Sequence, residues 1–80
     1  MKIGEAIRLL MKRHSVTQVE MAKLIGVKGQ TVISERIRRE NMSVEKILQM
    51  IDPLGYQLVI QPKNKYLLPG EIKVERGEFV

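Results

Sequence analysis

A chain of 80 residues makes one small-cored domain, for which a partner subunit would add useful buried surface. With no cysteine it forms no disulfide and no thiolate metal site, and its single histidine, His14, does not assemble a metal site with its neighbours. No apolar run approaches the length of a membrane span, and Glu5 and Arg8 interrupt the opening segment, so neither an anchor nor a signal peptide is expected and the chain reads as cytoplasmic.

The formal charge of +5 is unevenly placed. Residues 1–41 hold nine Lys/Arg against four Glu, whereas residues 42–80 hold five of each sign. The excess therefore lies in the first half, where one face is expected to meet a polyanion.

The first element is an amphipathic helix. Ile3, Ala6, Ile7, Leu10 and Met11 recur at the i, i+3, i+4, i+7, i+8 spacing, with Lys2, Glu5, Arg8, Lys12 and Arg13 on the other side. His14 and Ser15 end it, and His14 there reads as a solvated side chain at the negative end of the helix dipole.

Thr17-Gln18-Val19-Glu20 is a capping box, flanked by Val16 and Met21 as a hydrophobic staple, so a second helix begins at Gln18. It runs through Met21, Ala22, Leu24 and Ile25 and stops at Gly26, the residue best suited to a left-handed helix end. After Gly26-Val27-Lys28-Gly29 the helical spacing resumes with Val32 or Ile33, then Ile37. A Val32 anchor would bury Glu35 three residues later, whereas Ile33 makes an i, i+4 pair with Ile37 at the expense of one more residue in the turn, and the second alignment is preferred.

Ser43 caps a fourth helix, with Met42 and Ile47 as a second staple and Val44, Ile47, Leu48 and Ile51 as its apolar stripe. Pro53 and Gly55 end or kink it. From Tyr56 the period falls to two, in Tyr56-Gln57-Leu58-Val59-Ile60-Gln61 and again in Glu71-Ile72-Lys73-Val74-Glu75-Arg76, with a Pro69-Gly70 turn before the second run. These runs predict a two-stranded ribbon, with Tyr66, Leu67 and Leu68 extending a strand or packing under the loop. An isolated ribbon is marginal, so it must lie against the helices or another chain.

Two helices joined by about four residues around a glycine make a helix-turn-helix. The residues Thr17-Gln18-x-Glu20-Met21-Ala22-x-x-Ile25-Gly26-Val27, followed by Thr31-Val32-Ile33-Ser34, resemble the lambda-repressor-like helix-turn-helix family of phage and bacterial regulators, the xenobiotic-response-element class. The likeness covers residues 3–54. It implies a mainly α bundle of four to five helices in residues 1–55, here with a two-stranded β extension in 56–80, whose third helix enters the DNA major groove, usually in a dimer. Carried over by position, Gln18 would contact a phosphate, and the exposed start of the third helix would face base edges.

On either alignment Lys28, Gln30, Thr31, Ser34 and Glu35 lie at the front of the third helix and are the candidate base contacts. Gln30 suits adenine, Thr31 offers a hydroxyl or a methyl contact to thymine, and Lys28 reaches a phosphate or guanine. Small polar residues also serve as helix entrances, so each has a purely structural alternative. Arg36, Arg38 and Arg39 are candidate phosphate contacts; as cations near a helix carboxyl end they also suit its dipole, and Glu35 and Glu40 stand beside them as local partners.

No catalytic constellation, phosphate loop or metal cluster is present in the sequence, so neither an enzyme nor a cofactor is expected. Gly26-Val27-Lys28-Gly29 matches the GxxG loop of RNA-binding KH domains, but the helical residues 3–14 occupy the place where that fold begins with a strand. The expectation is therefore a transcription regulator, a repressor of phage or mobile-element kind, that binds double-stranded operator DNA as a homodimer. The alternative is an antitoxin that binds its own operator and holds a toxin through the neutral tail.

Overall fold

The computed structural model describes residues 1–39 and 41–75. Four helices follow one another: α1 (Ile3–Arg13), α2 (Gln18–Ile25), α3 (Gln30–Arg38) and α4 (Val44–Ile51), continued by a 3-10 turn over Asp52–Leu54. The fold is mainly α, and each expected helix is present. Glu40 and the last five positions of the expected tail lie outside the described residues.

Local chemistry sets the boundaries. The α2 capping box closes in both directions, the Glu20 amide donating to Thr17 Oγ1 at 3.1 Å and the Thr17 amide to Glu20 Oε1 at 3.2 Å. Gly26 ends the helix in the left-handed region at φ 76°, and the Gly26 and Val27 amides both donate to the Ala22 carbonyl. Ser43 caps α4 by accepting from the Lys46 amide at 3.2 Å. Pro53 converts the end of α4 into the 3-10 turn, which Gly55 closes at φ 86°.

Ile7, Met21, Ile33 and Met50 are completely shielded from solvent, one from each helix, and Leu10, Met11, Ala22, Ile37 and Ile51 complete the core. No polar side chain is buried among the described residues. Ile33, not Val32, is the anchor of α3, and Glu35 stays exposed. The α4 stripe is rotated from the expected one. Met50 and Ile51 are buried with Ile47 and Leu54 packed beside them, while Val44 and Leu48 are left exposed, because i, i+3, i+4, i+7 from Ile47 points at the other helices. At Gly4, α1 passes so close to α3 that a Cβ would overlap the Ile37 carbonyl oxygen.

The expected two-stranded ribbon is absent among the described residues. Residues 56–61 and 70–75 run in the same sense, and this is the physical reason. At the carboxyl end of α1, Tyr56 Oη lies 2.9 Å from His14 Nε2 and Arg13 Nη1 donates to the Gly70 carbonyl at 3.1 Å. At the amino end, Leu58 and Val74 line one groove with Ile3, and the Glu75 amide donates to the Met1 carbonyl at 2.9 Å. Two runs of the same sense need a crossover of about a dozen residues, usually a helix, before they pair. Only 62–69 joins them, so both lie as separate extended straps antiparallel to α1. The Pro69-Gly70 turn does form, with Gly70 at φ 88° and the Glu71 amide donating to the Leu68 carbonyl. Tyr66, Leu67 and Leu68 neither extend a strand nor pack under the loop, since all three are exposed.

The second strap rests Ile72 against the core and adds surface contacts at its end. Lys73 Nζ lies 3.3 Å from Glu75 Oε1 and the amino-terminal nitrogen 3.5 Å from Oε2. The Lys73 hydrogen bond first, then the charge of the amino terminus, hold the Glu75 carboxyl below its ordinary range. All three groups are solvated, which makes this a detachable clasp.

Candidate nucleic-acid interface

The geometry of α3 follows from its two buried isoleucines. Ile33 and Ile37 turn one side into the core, and α3 packs most extensively against α2 and α1. At 3.6 residues per turn, the exposed Gln30, Thr31, Ser34, Glu35 and Arg38 then fall within one arc of about 140° that begins beside Ile37 and reaches the side opposite the isoleucines at Glu35. Four of the five expected base-contacting residues are thus brought onto one solvent-facing surface. Lys28, the fifth, is exposed in the turn leading into it.

The front of this helix is open. Its N-cap, Gly29, offers no side chain, and the only capping contact there is the Val32 amide to the Gly29 carbonyl at 3.2 Å. The first amides of α3 therefore point past Gln30 and Thr31 with no side-chain cap over them. Gln18 is the first residue of α2 and half-buried, on the side of the motif where Thr17 and Glu20 close the cap.

The three arginines separate. Arg38 shares the exposed arc with Gln30 and Ser34, about two turns beyond the first and one beyond the second. Arg39 is exposed at the C-cap, where the backbone becomes extended. Arg36 points the other way, half-buried, and its Nη1 donates to Gln49 Oε1 of α4 at 2.8 Å. It ties α3 to α4 and reaches a phosphate only by giving up that bond. Gln49 was not singled out by sequence reasoning, and a contact across 13 positions between exposed polar residues leaves no local pattern to find it by. Glu35 stands at the edge of the arc with no ion pair among the described residues, so the only negative charge on this face is free to accept or to repel.

Among the described residues no cluster of metal-binding side chains occurs, and no helix is long and apolar enough to cross a membrane. His14 is exposed and engaged with Tyr56, the two rings meeting edge to face at 5.5 Å.

No family model matches the sequence, and comparison with curated proteins and with solved structures returns no significant match.

Proposed function

We propose that the chain is a sequence-specific DNA-binding transcriptional regulator, a repressor of phage or mobile-element kind that occupies its operator as a homodimer. The observation that carries this reading is the exposed arc of α3. Gln30, Thr31, Ser34 and Arg38 project from a helix that is anchored in the core by Ile33 and Ile37, while the turn before it is fixed by the Thr17 box and Gly26. A helix presented in this way fits the major groove with its amino-terminal residues on base edges.

Gln30 and Thr31 are the base readers, with Ser34 beside them and Lys28 at the approach. Glu35 accepts from a cytosine amino group or excludes other bases. Arg38 and Arg39 grip phosphates on the flank, Gln18 caps a phosphate from the front of α2, and Arg36 holds α3 in place. The +5 charge of residues 1–41 supports this division, because phosphate contacts supply affinity and base contacts choice. One short helix reads few base pairs, so a two-fold dimer reading two half-sites is the economical arrangement.

The exposed apolar side chains of the tail, Val59, Ile60 and Leu68 among them, favour a protein partner of some kind and keep the antitoxin reading open, with a toxin as the second protein. Selection of bound duplexes from a random pool tests the main reading. A single enriched motif with two related halves is expected, and no enrichment at any salt concentration would defeat it. Purification of a stable complex with the product of an adjacent toxin-like gene would move the tail's role to the antitoxin reading.

A further inference from the structure

We infer that Gln57–Gln61 pairs with the same segment of a second copy as an antiparallel two-stranded ladder, with the two-fold axis through Val59. This rests on the dimeric part of the proposed function and specifies how the dimer is made.

The segment reads Gln57-Leu58-Val59-Ile60-Gln61, the same in both directions by chemical type. Antiparallel pairing about Val59 sets Leu58 opposite Ile60 of the second copy, Gln57 opposite its Gln61, and Val59 opposite itself. Leu58 and Ile60 meet apolar to apolar on one face, and on the other the Val59 pair is flanked by amide meeting amide, as an isologous contact requires. The limits of the segment agree with the same centre. On one side the Tyr56 amide is already spent on the Ile51 carbonyl, and on the other Pro62 has no amide to give. Between them, no backbone hydrogen bond engages residues 57–61 among the described residues. An unpaired, β-patterned, uncharged edge of this kind is an aggregation hazard unless another chain covers it, and Pro62 confines that cover to one partner.

The apolar face of the strap also outruns its own core. Tyr56 packs on the core, Leu58 lines an open groove of about 610 Å³ beside Ile3, Met42 and Ile47, and Ile60 is 101% exposed. In the paired form Ile60 of the second copy lies opposite Leu58 and projects onto that groove.

A chain without cysteine allows a clean test. Single-cysteine variants are oxidised without DNA and separated on a non-reducing gel, with solution mass measured in parallel. Val59→Cys is expected to cross-link to itself, because Cβ atoms of opposed residues lie about 5 Å apart, and a mixture of Leu58→Cys with Ile60→Cys is expected to cross-link to each other. Tyr66→Cys, on a side chain more exposed than Val59, reports chance collision. Ile60→Asp is expected to weaken dimerisation roughly tenfold or more, with helicity unchanged by circular dichroism because the residue contacts no core. High salt leaves the dimer intact. A chain that is monomeric without DNA, or a dimer whose cross-links follow another register, overturns the inference. A dimer of this register that selects no duplex sinks the DNA reading and leaves the pairing standing.

Discussion

Gln30 and Arg38 lie on one face of one helix and differ in what they can recognise. On the proposed reading, replacing Gln30 or Thr31 with Ala removes a base contact, which is expected to cost about 1–3 kcal/mol on the preferred duplex and little on others, so that selectivity collapses. Arg38→Ala weakens all duplexes alike and lowers the salt slope by about one phosphate's share, roughly 0.9 in log–log units. Binding curves for preferred and scrambled duplexes at several salt concentrations distinguish the two, and parallel behaviour of both variants would contradict the division. The arc was legible because each of these residues sits one to three positions from an isoleucine that had to be buried. Burial of Ile33 followed from the cost of burying Glu35. The turning of Arg36 toward Gln49 did not follow from anything local. Ser15 is the one non-glycine residue at positive φ among the described residues, 54°, just after α1. Ser15→Gly is expected to relieve that conformation and stabilise the fold by about 0.5–1 kcal/mol, read as a rise in denaturant midpoint.

Elements whose ends are fixed by side chain to backbone contacts were readable in the sequence, and elements fixed by distant partners were not. The Thr17 box and the Gly26 stop each lie within a few residues of the atoms they satisfy, and Thr17→Ala is expected to cost about 1 kcal/mol of stability. The tail formed no ribbon among the described residues and buried its two-residue period only in part, with Tyr56 and Ile72 on the core but Ile60 fully exposed, because a period says nothing of the sense in which two runs lie. That sense is set by His14 holding Tyr56 and Arg13 holding Gly70, contacts across 42 and 57 positions. Gly4 carried no local signal in the sequence, and its reason lies across the fold, where a Cβ would overlap the Ile37 carbonyl oxygen at the meeting of α1 and α3. Gly4→Ala adds helix propensity worth about 1 kcal/mol and forces apart two packed helices at about 1–3 kcal/mol or more. The expected outcome is a net loss, seen as a melting temperature lower by several degrees. An unchanged melting temperature would mean that α1 can slide along α3 at no cost.

Across the whole molecule, the entire excess of positive charge lies in residues 1–41, and the proposed reading gives DNA to that half and self-association to the tail. Duplex affinity should therefore fall steeply with salt while self-association does not, and analytical centrifugation at low and high salt checks the second half of that statement. The core that joins the halves is rich in thioether. Met11, Met21 and Met50 lie at 4% exposure or less, whereas Met1 is 43% exposed and Met42 half-buried. Each methionine is thus a clock with a different trigger. Peroxide reaches the outer pair in the folded chain and the inner three only when the bundle opens. A sulfoxide formed there is polar and does not fit back among Ile7 and Ile33. The order in which the five sulfurs oxidise, followed by mass spectrometry, times the opening of the fold, and an oxidising cell would retire this protein one unfolding event at a time.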